Sequence, residues 1–109
     1  MRKTDKKTDN AIIEVLTEVC DIAQENYDGF KWITHFANYN NFPDSLSVVC
    51  IYDTNKQLQK TDVNGLRILI NEKLSSIDID IKDLRRQVNF DTEENCTNEN
   101  AGKWSERLR

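Results

Sequence analysis

The hydrophobic period of this chain changes abruptly across Asp28-Gly29, and any fold it adopts must accommodate both periods. Before that point Ile12, Leu16, Val19, Cys20, Ala23 and Tyr27 recur at spacings of three and four, opposite Glu14, Glu18, Asp21 and Glu25. The pattern predicts an amphipathic helix over residues 10–26, capped by Thr8 or Asp9 and ended by Asp28-Gly29. After it, Phe30, Trp32, Thr34 and Phe36 alternate with Lys31, Ile33, His35, Ala37 and Tyr39, which predicts a strand with one aromatic face. Asn40-Asn41-Phe42-Pro43-Asp44-Ser45 is turn chemistry, and LSVVCIYD over 46–53 reads as a second strand, so the two should form an antiparallel hairpin. In that second strand Leu46, Val48, Cys50 and Tyr52 point one way and Val49 and Ile51 the other. A strand that is apolar on both faces belongs inside a sheet.

The later residues build around the hairpin. Thr54 with Gln57 forms a capping-box pattern for a short helical turn. Thr61-Asp62 caps a stripe of Val63, Leu66, Leu69, Ile70, Leu74 and Ile77, a helix ending near Ser76. Ile77-Asp78-Ile79-Asp80-Ile81 alternates strictly, but its acids suit an exposed edge or an extended linker. Residues 86–91 predict a short third strand with Val88 and Phe90 inward. Asp91 and Glu94 then suggest a capping box for a C-terminal helix in which Cys96, Trp104 and Leu108 share a face, interrupted at Ala101-Gly102. A helical crossover between the second and third strands makes them parallel. The expected fold is α+β: a small three-stranded sheet, mostly antiparallel or mixed, with a central β-hairpin and about three packed helices. Residues 1–9 read as a flexible polar tail and residues 10–109 as a single α/β domain. With 38% hydrophobic residues, against roughly 45–50% in an average globular chain, the core should be thin.

Chemistry-bearing residues are sparse and scattered. Fifteen Lys and Arg against nineteen Asp and Glu give a net charge of −4, opposite in sign to the basic excess of most nucleic-acid modules. His35 is the only histidine and lies mid-strand, where a half-buried structural role is more common than catalysis. Cys20, Cys50 and Cys96 show neither disulfide nor zinc-knuckle spacing, so reduced and mostly buried thiols are expected. Pro43-Asp44 and Asp53-Thr54-Asn55-Lys56 approach the acid-acid-lysine pattern of metal-dependent nucleases, but asparagine occupies the position the lysine should take on a period-two strand. Gly29, Gly65 and Gly102 are too dispersed for a phosphate-cradling loop, and Asp78, Asp80 and Asp83 lack the glycine and distal glutamate of a calcium loop. The expectation is no catalytic residues, no metal site and no cofactor. The N-terminal residues lack a secretory apolar core and no run reaches membrane-spanning length, so a cytoplasmic location is expected.

Two sets of residues remain as binding candidates. Phe30, Trp32 and Phe36, with Phe42 at the turn, form a large aromatic payload that is either covered by the first helix or used as an association surface. Arg85, Arg86, Lys103 and Arg107 would serve a nucleic-acid reading, with Trp32, Phe36 and Trp104 as stacking groups, although each basic cluster has acidic neighbours.

The segments MRKTDKKTDNAIIEVLTEVCDIA, GFKWITHFANYNNFPDSLSVVCIYDT and VNFDTEENC together resemble a family of small bacterial proteins without an assigned activity, some labelled Fis-family transcriptional regulators. The label implies a homodimeric, nearly all-helical DNA-bending protein with a C-terminal helix-turn-helix. No Fis contact residue maps onto this chain, because NENAGKWSERLR is too short for two DNA-reading helices. The leading expectation is a non-enzymatic regulatory or protein-interaction module whose partner is another protein or a second copy. The alternatives are a DNA-binding regulator and, least favoured, a metal-dependent hydrolase built around Asp44, Asp53, Lys56 or His35.

Overall fold

A computed structural model describes residues 2–108. Along the chain run α1 (Lys3–Asn26), β1 (Phe30–Phe36), a 3-10 turn (Tyr39–Asn41), β2 (Ser47–Tyr52), α2 (Asn55–Lys60), α3 (Val63–Ser75), α4 (Leu84–Gln87), β3 (Val88–Thr92), α5 (Glu93–Asn100) and α6 (Trp104–Arg107). The fold is α+β, with a three-stranded mixed sheet in the order β1-β2-β3. β1 and β2 form the antiparallel hairpin, and β3 pairs parallel with β2 after the helical crossover. β2 is the interior strand, as its apolar residues on both sides require: Val48, Cys50, Ile51 and Tyr52 are fully buried.

α1 and α3 lie on the face formed by Val48, Cys50 and Tyr52. Ile12, Leu16, Val19 and Ala23 of α1 meet Leu66, Ile70 and Leu74 of α3 over that face, and Phe30, Leu46 and Val88 complete the cluster. Tyr52 is wholly buried; its ring meets Phe30 edge-on at 5.4 Å and its hydroxyl shares a 2.7 Å hydrogen bond with Thr61. Such a hydroxyl needs that partner, because burying it unpaired would cost about 1–3 kcal/mol.

α1 starts at Lys3, well before the expected start at residue 10, and neither Thr8 nor Asp9 is its cap. Thr8 instead donates its hydroxyl back to the Thr4 carbonyl, and the Asp9 carboxylate is taken by His35 and Tyr39. Once a helix is nucleated, polar residues extend it at little cost, so the absence of apolar periodicity before residue 10 marked only where burial begins.

The larger correction concerns the aromatic strand face. A β-bulge places both Lys31 and Trp32 against Ile51, so the side-chain alternation changes phase inside β1. Phe30 therefore joins the α1 side, while Trp32 and Phe36 project from the opposite face of the sheet. The one aromatic face expected from the alternation is thus two. Gly29 makes the approach to the bulge practicable: its φ is +83°, and a Cβ there would lie 2.3 Å from Gln57 Oε1.

Two local expectations also change. Residues 77–81 form no strand; Ile79 and Ile81 turn into the core, helped by a left-handed Asp78 at φ +62°. The cap of α5 is Thr92, whose hydroxyl accepts from the Asn95 N–H, while Glu94 instead accepts from the Asn55 N–H. Thr54 with Gln57, and Asp62 with the Gly65 N–H, cap α2 and α3 as their residue types suggest.

Candidate functional site

A three-stranded open sheet has two edges, and this one treats them differently. At β3, Arg67 lays its guanidinium on the Val88 carbonyl through Nε and Nη2, at 3.2 and 3.1 Å, and over the Phe90 ring. Asp91 accepts from the Thr92 N–H, and the Asn89 amide donates to the Arg86 carbonyl. Side chains thus occupy the edge of β3, the usual way a sheet discourages strand addition. At β1, among the described residues, one side chain bonds the strand backbone: Gln24 Nε2 donates to the Lys31 carbonyl at the bulge, 2.7 Å away. Beyond the bulge the edge carries no such cover.

Along that open edge runs a groove of about 270 Å³ between α1 and β1, lined by Ile13, Leu16, Thr17, Ile33, Thr34 and His35. Ile13 is 47% exposed on its helical wall, and Phe36 is 45% exposed on the other side of β1. One end is closed by a polar clamp in which Asp9 Oδ1 accepts from His35 Nε2 at 2.7 Å and from the Tyr39 hydroxyl at 2.6 Å. Those two hydrogen bonds, from Tyr39 first and His35 second, hold the Asp9 carboxyl below the usual carboxylate range. Tyr39 is pushed up, by burial and then by its bond to Asp9. The clamp fastens the first half of α1 to the end of β1. It is built for rigidity, since Asp9 accepts from both partners.

The four aromatic candidates part company here. Phe30 is core; Trp32 meets Trp104 edge-on at 5.0 Å and donates Nε1–H to Glu93 at 2.6 Å; Phe42 packs on Tyr39; of the four, Phe36 alone is exposed. The basic candidates are not gathered either. Arg107 is bound to Asp91 and Glu99, Arg86 to Asp83 and the Asp44 carbonyl, while Arg85 is exposed on α4 and Lys103 is exposed just before α6. Asp44, Asp53 and Lys56 are exposed, Asp44 in the turn before β2, Asp53 just after β2 and Lys56 in α2, whereas His35 is in β1. Among the described residues no group of three or more His, Cys, Asp or Glu side chains is placed to hold a metal ion. Cys20, Cys50 and Cys96 are unpaired thiols; burial pushes Cys50 up to about 12 and raises Cys96 as well. No helix of the described residues is long and apolar enough to cross a membrane.

Asp9, Tyr39, Ile13 and Gln24 were not legible as rim residues. Asp9 and Gln24 look like ordinary solvent-facing helix positions, and only the phase of α1 against β1 gives them partners. No family model, curated protein or solved structure matches the chain.

Proposed function

We propose that this chain is a non-enzymatic protein-interaction module that receives an extended segment of a partner along the open edge of β1. The observation that carries this reading is the asymmetry of the two edges: β3 is covered by Arg67 and its neighbours, whereas β1 borders a groove with apolar residues on either side. An added strand would satisfy the outward N–H and C=O groups of β1, which supply affinity, and would seat alternate side chains against Ile13 and Phe36, which supply selectivity. The rigid Asp9–His35–Tyr39 clamp holds the groove open without ordering cost on binding.

The test is an amide NMR titration of the dilute protein with a panel of extended β-branched and aromatic peptides, with proline-substituted peptides as controls. Shifts concentrated in residues 31–36 and at Ile13 and Thr17, absent with the proline controls, are expected. Shifts confined to other elements, or none at millimolar peptide, would overturn the reading.

A further inference from the structure

Building on that reading, we infer that the partner strand is β1 of a second copy of this chain, paired antiparallel about a two-fold axis through Thr34. Such an axis, normal to the sheet at its open edge, joins two three-stranded sheets into one of six strands and sets the two α1 helices side by side and antiparallel on one face. Three independent features of the monomer fit that single operator.

The first is the strand itself. With Thr34 opposite its own copy, Trp32 faces Phe36 of the second copy and Ile33 faces His35 of the second copy. Trp32 and Phe36 share the face opposite α1, so the exposed Phe36 ring gains an aromatic cross-strand neighbour twice over. Shifting the axis to Ile33 would set Phe36 opposite Phe30 instead, and the bulge has turned Phe30 to the other face. Of these two registers, only the one through Thr34 pairs aromatics on a shared face.

The second is the charge along α1. Arg2, Lys3, Lys6 and Lys7 outnumber Asp5 and Asp9 at its start, while Glu14, Glu18, Asp21 and Glu25 make its later part acidic, Glu18 already being paired with Lys73 of α3. Within one helix this order is unfavourable, since cations sit at the positive end of the macrodipole and anions at the negative end. Beside an antiparallel copy the same order becomes complementary, basic start against acidic end, on both sides of the axis.

The third is the position of Ile13. It lines the groove with Thr34 and His35, so an axis through Thr34 brings this exposed residue close to its own copy at the centre of the helical seam. Lys6 and Asp21 are nearly equidistant from Ile13 along α1, which sets Lys6 level with Asp21 of the second copy. Among the described residues the other large exposed apolar side chain, Ile68, lies on α3 and takes no part.

The experiment is sedimentation equilibrium of the full chain, 12.7 kDa as a monomer, at 5–500 µM (roughly, a range spanning ordinary transient dimers), together with disulfide trapping. In a Cys20→Ser background, Thr34→Cys should form a covalent dimer under mild oxidation, because opposed residues of an antiparallel pair lie within disulfide reach. Lys31→Cys should not, since six residues of register separate it from its own copy, roughly 20 Å. Phe36→Asp, which alters an exposed side chain and leaves the monomer folded, should weaken the dimer at least about tenfold, as should raised salt. A dimer that fails to trap through Thr34→Cys, or that tolerates Phe36→Asp, overturns the proposal. A strict monomer also overturns it; if extended peptides still shift β1, the open-edge reading survives with a foreign strand as occupant, and if they do not, both fall.

Discussion

The two faces of the sheet are held by different physics, although both rest on β2. On the α1/α3 face, long amphipathic helices bury a continuous set of aliphatic side chains, Ile12 through Leu74, against Val48, Cys50 and Tyr52. On the other face Val49 and Ile51 of β2 and Cys96 of α5 are buried outside that cluster, on the side where the short helices α5 and α6 follow β3. What closes this second face is a tryptophan pair and a polar web. Glu93 accepts from the indoles of both Trp32 and Trp104, and Arg107 joins Asp91 to Glu99 and Asn100. A helix of four residues cannot bury enough surface to stay in place by apolar contact alone, so directional bonds take over that role. One face should therefore answer chiefly to lost volume, the other to lost charge.

The largest effect expected is on the helical face. Leu66→Ala, at a fully buried position, should cost about 2–5 kcal/mol, read as a lower urea midpoint, and the loss should be nearly independent of salt. If Leu66→Ala is nearly neutral, the apolar account of this face is wrong.

Arg107→Met should come next, at about 1–3 kcal/mol, because it strands the carboxylate of Asp91 in a site where both side chains are less than one-fifth exposed. Acid should separate this face from the other. Burial works against ionising Asp91, but hydrogen bonds from Arg107, the Thr92 N–H and Asn95 outweigh it and hold the carboxyl below its ordinary range. A carboxyl depressed in the folded state contributes stability above its unfolded pKa, about 3.9, and that contribution is lost as pH falls through the folded value. Stability measured from neutral pH down to strongly acidic should accordingly fall more steeply for the natural chain than for Arg107→Met, in which only the Thr92 N–H and Asn95 still favour the ionised carboxyl. Parallel acid profiles would show that the web is not closing the second face.

The smallest effect expected is a gain. Ala101 ends α5 in the left-handed region at φ +53°, a conformation that costs a residue with a Cβ. Ala101→Gly should stabilise by up to about 1 kcal/mol, less whatever the freer unfolded chain takes back. A thermal melt of the two proteins side by side measures it, and a clear loss of stability would mean that the turn between α5 and α6 depends on the Ala101 methyl group.

Several features were readable because they depend on near neighbours in the chain. The change of period at Asp28-Gly29, the hairpin turn, the doubly apolar β2 and the caps Thr54 and Asp62 all follow from residues within a few positions of one another. The aromatic face was misread because alternation assumes an unbroken pleat, and the extra residue at Lys31 exists only relative to β2. Gln87 shows the same limit: a polar residue in α4, it is nevertheless buried, donating to the Pro43 and Leu46 carbonyls and accepting from the Asp83 N–H. Only the return of β3 beside β2 brings it there.

Residue order by itself determined the class of fold, the interior place of β2 and the parallel return of β3, because burial periodicity and connection length act along the chain. Which ring faces which side, which edge is covered and which carboxylate holds which cation were decided only on packing. Those choices depend on the phase of one element against another, and a single side chain such as Asp9 or Arg107 is indifferent to it until the elements meet.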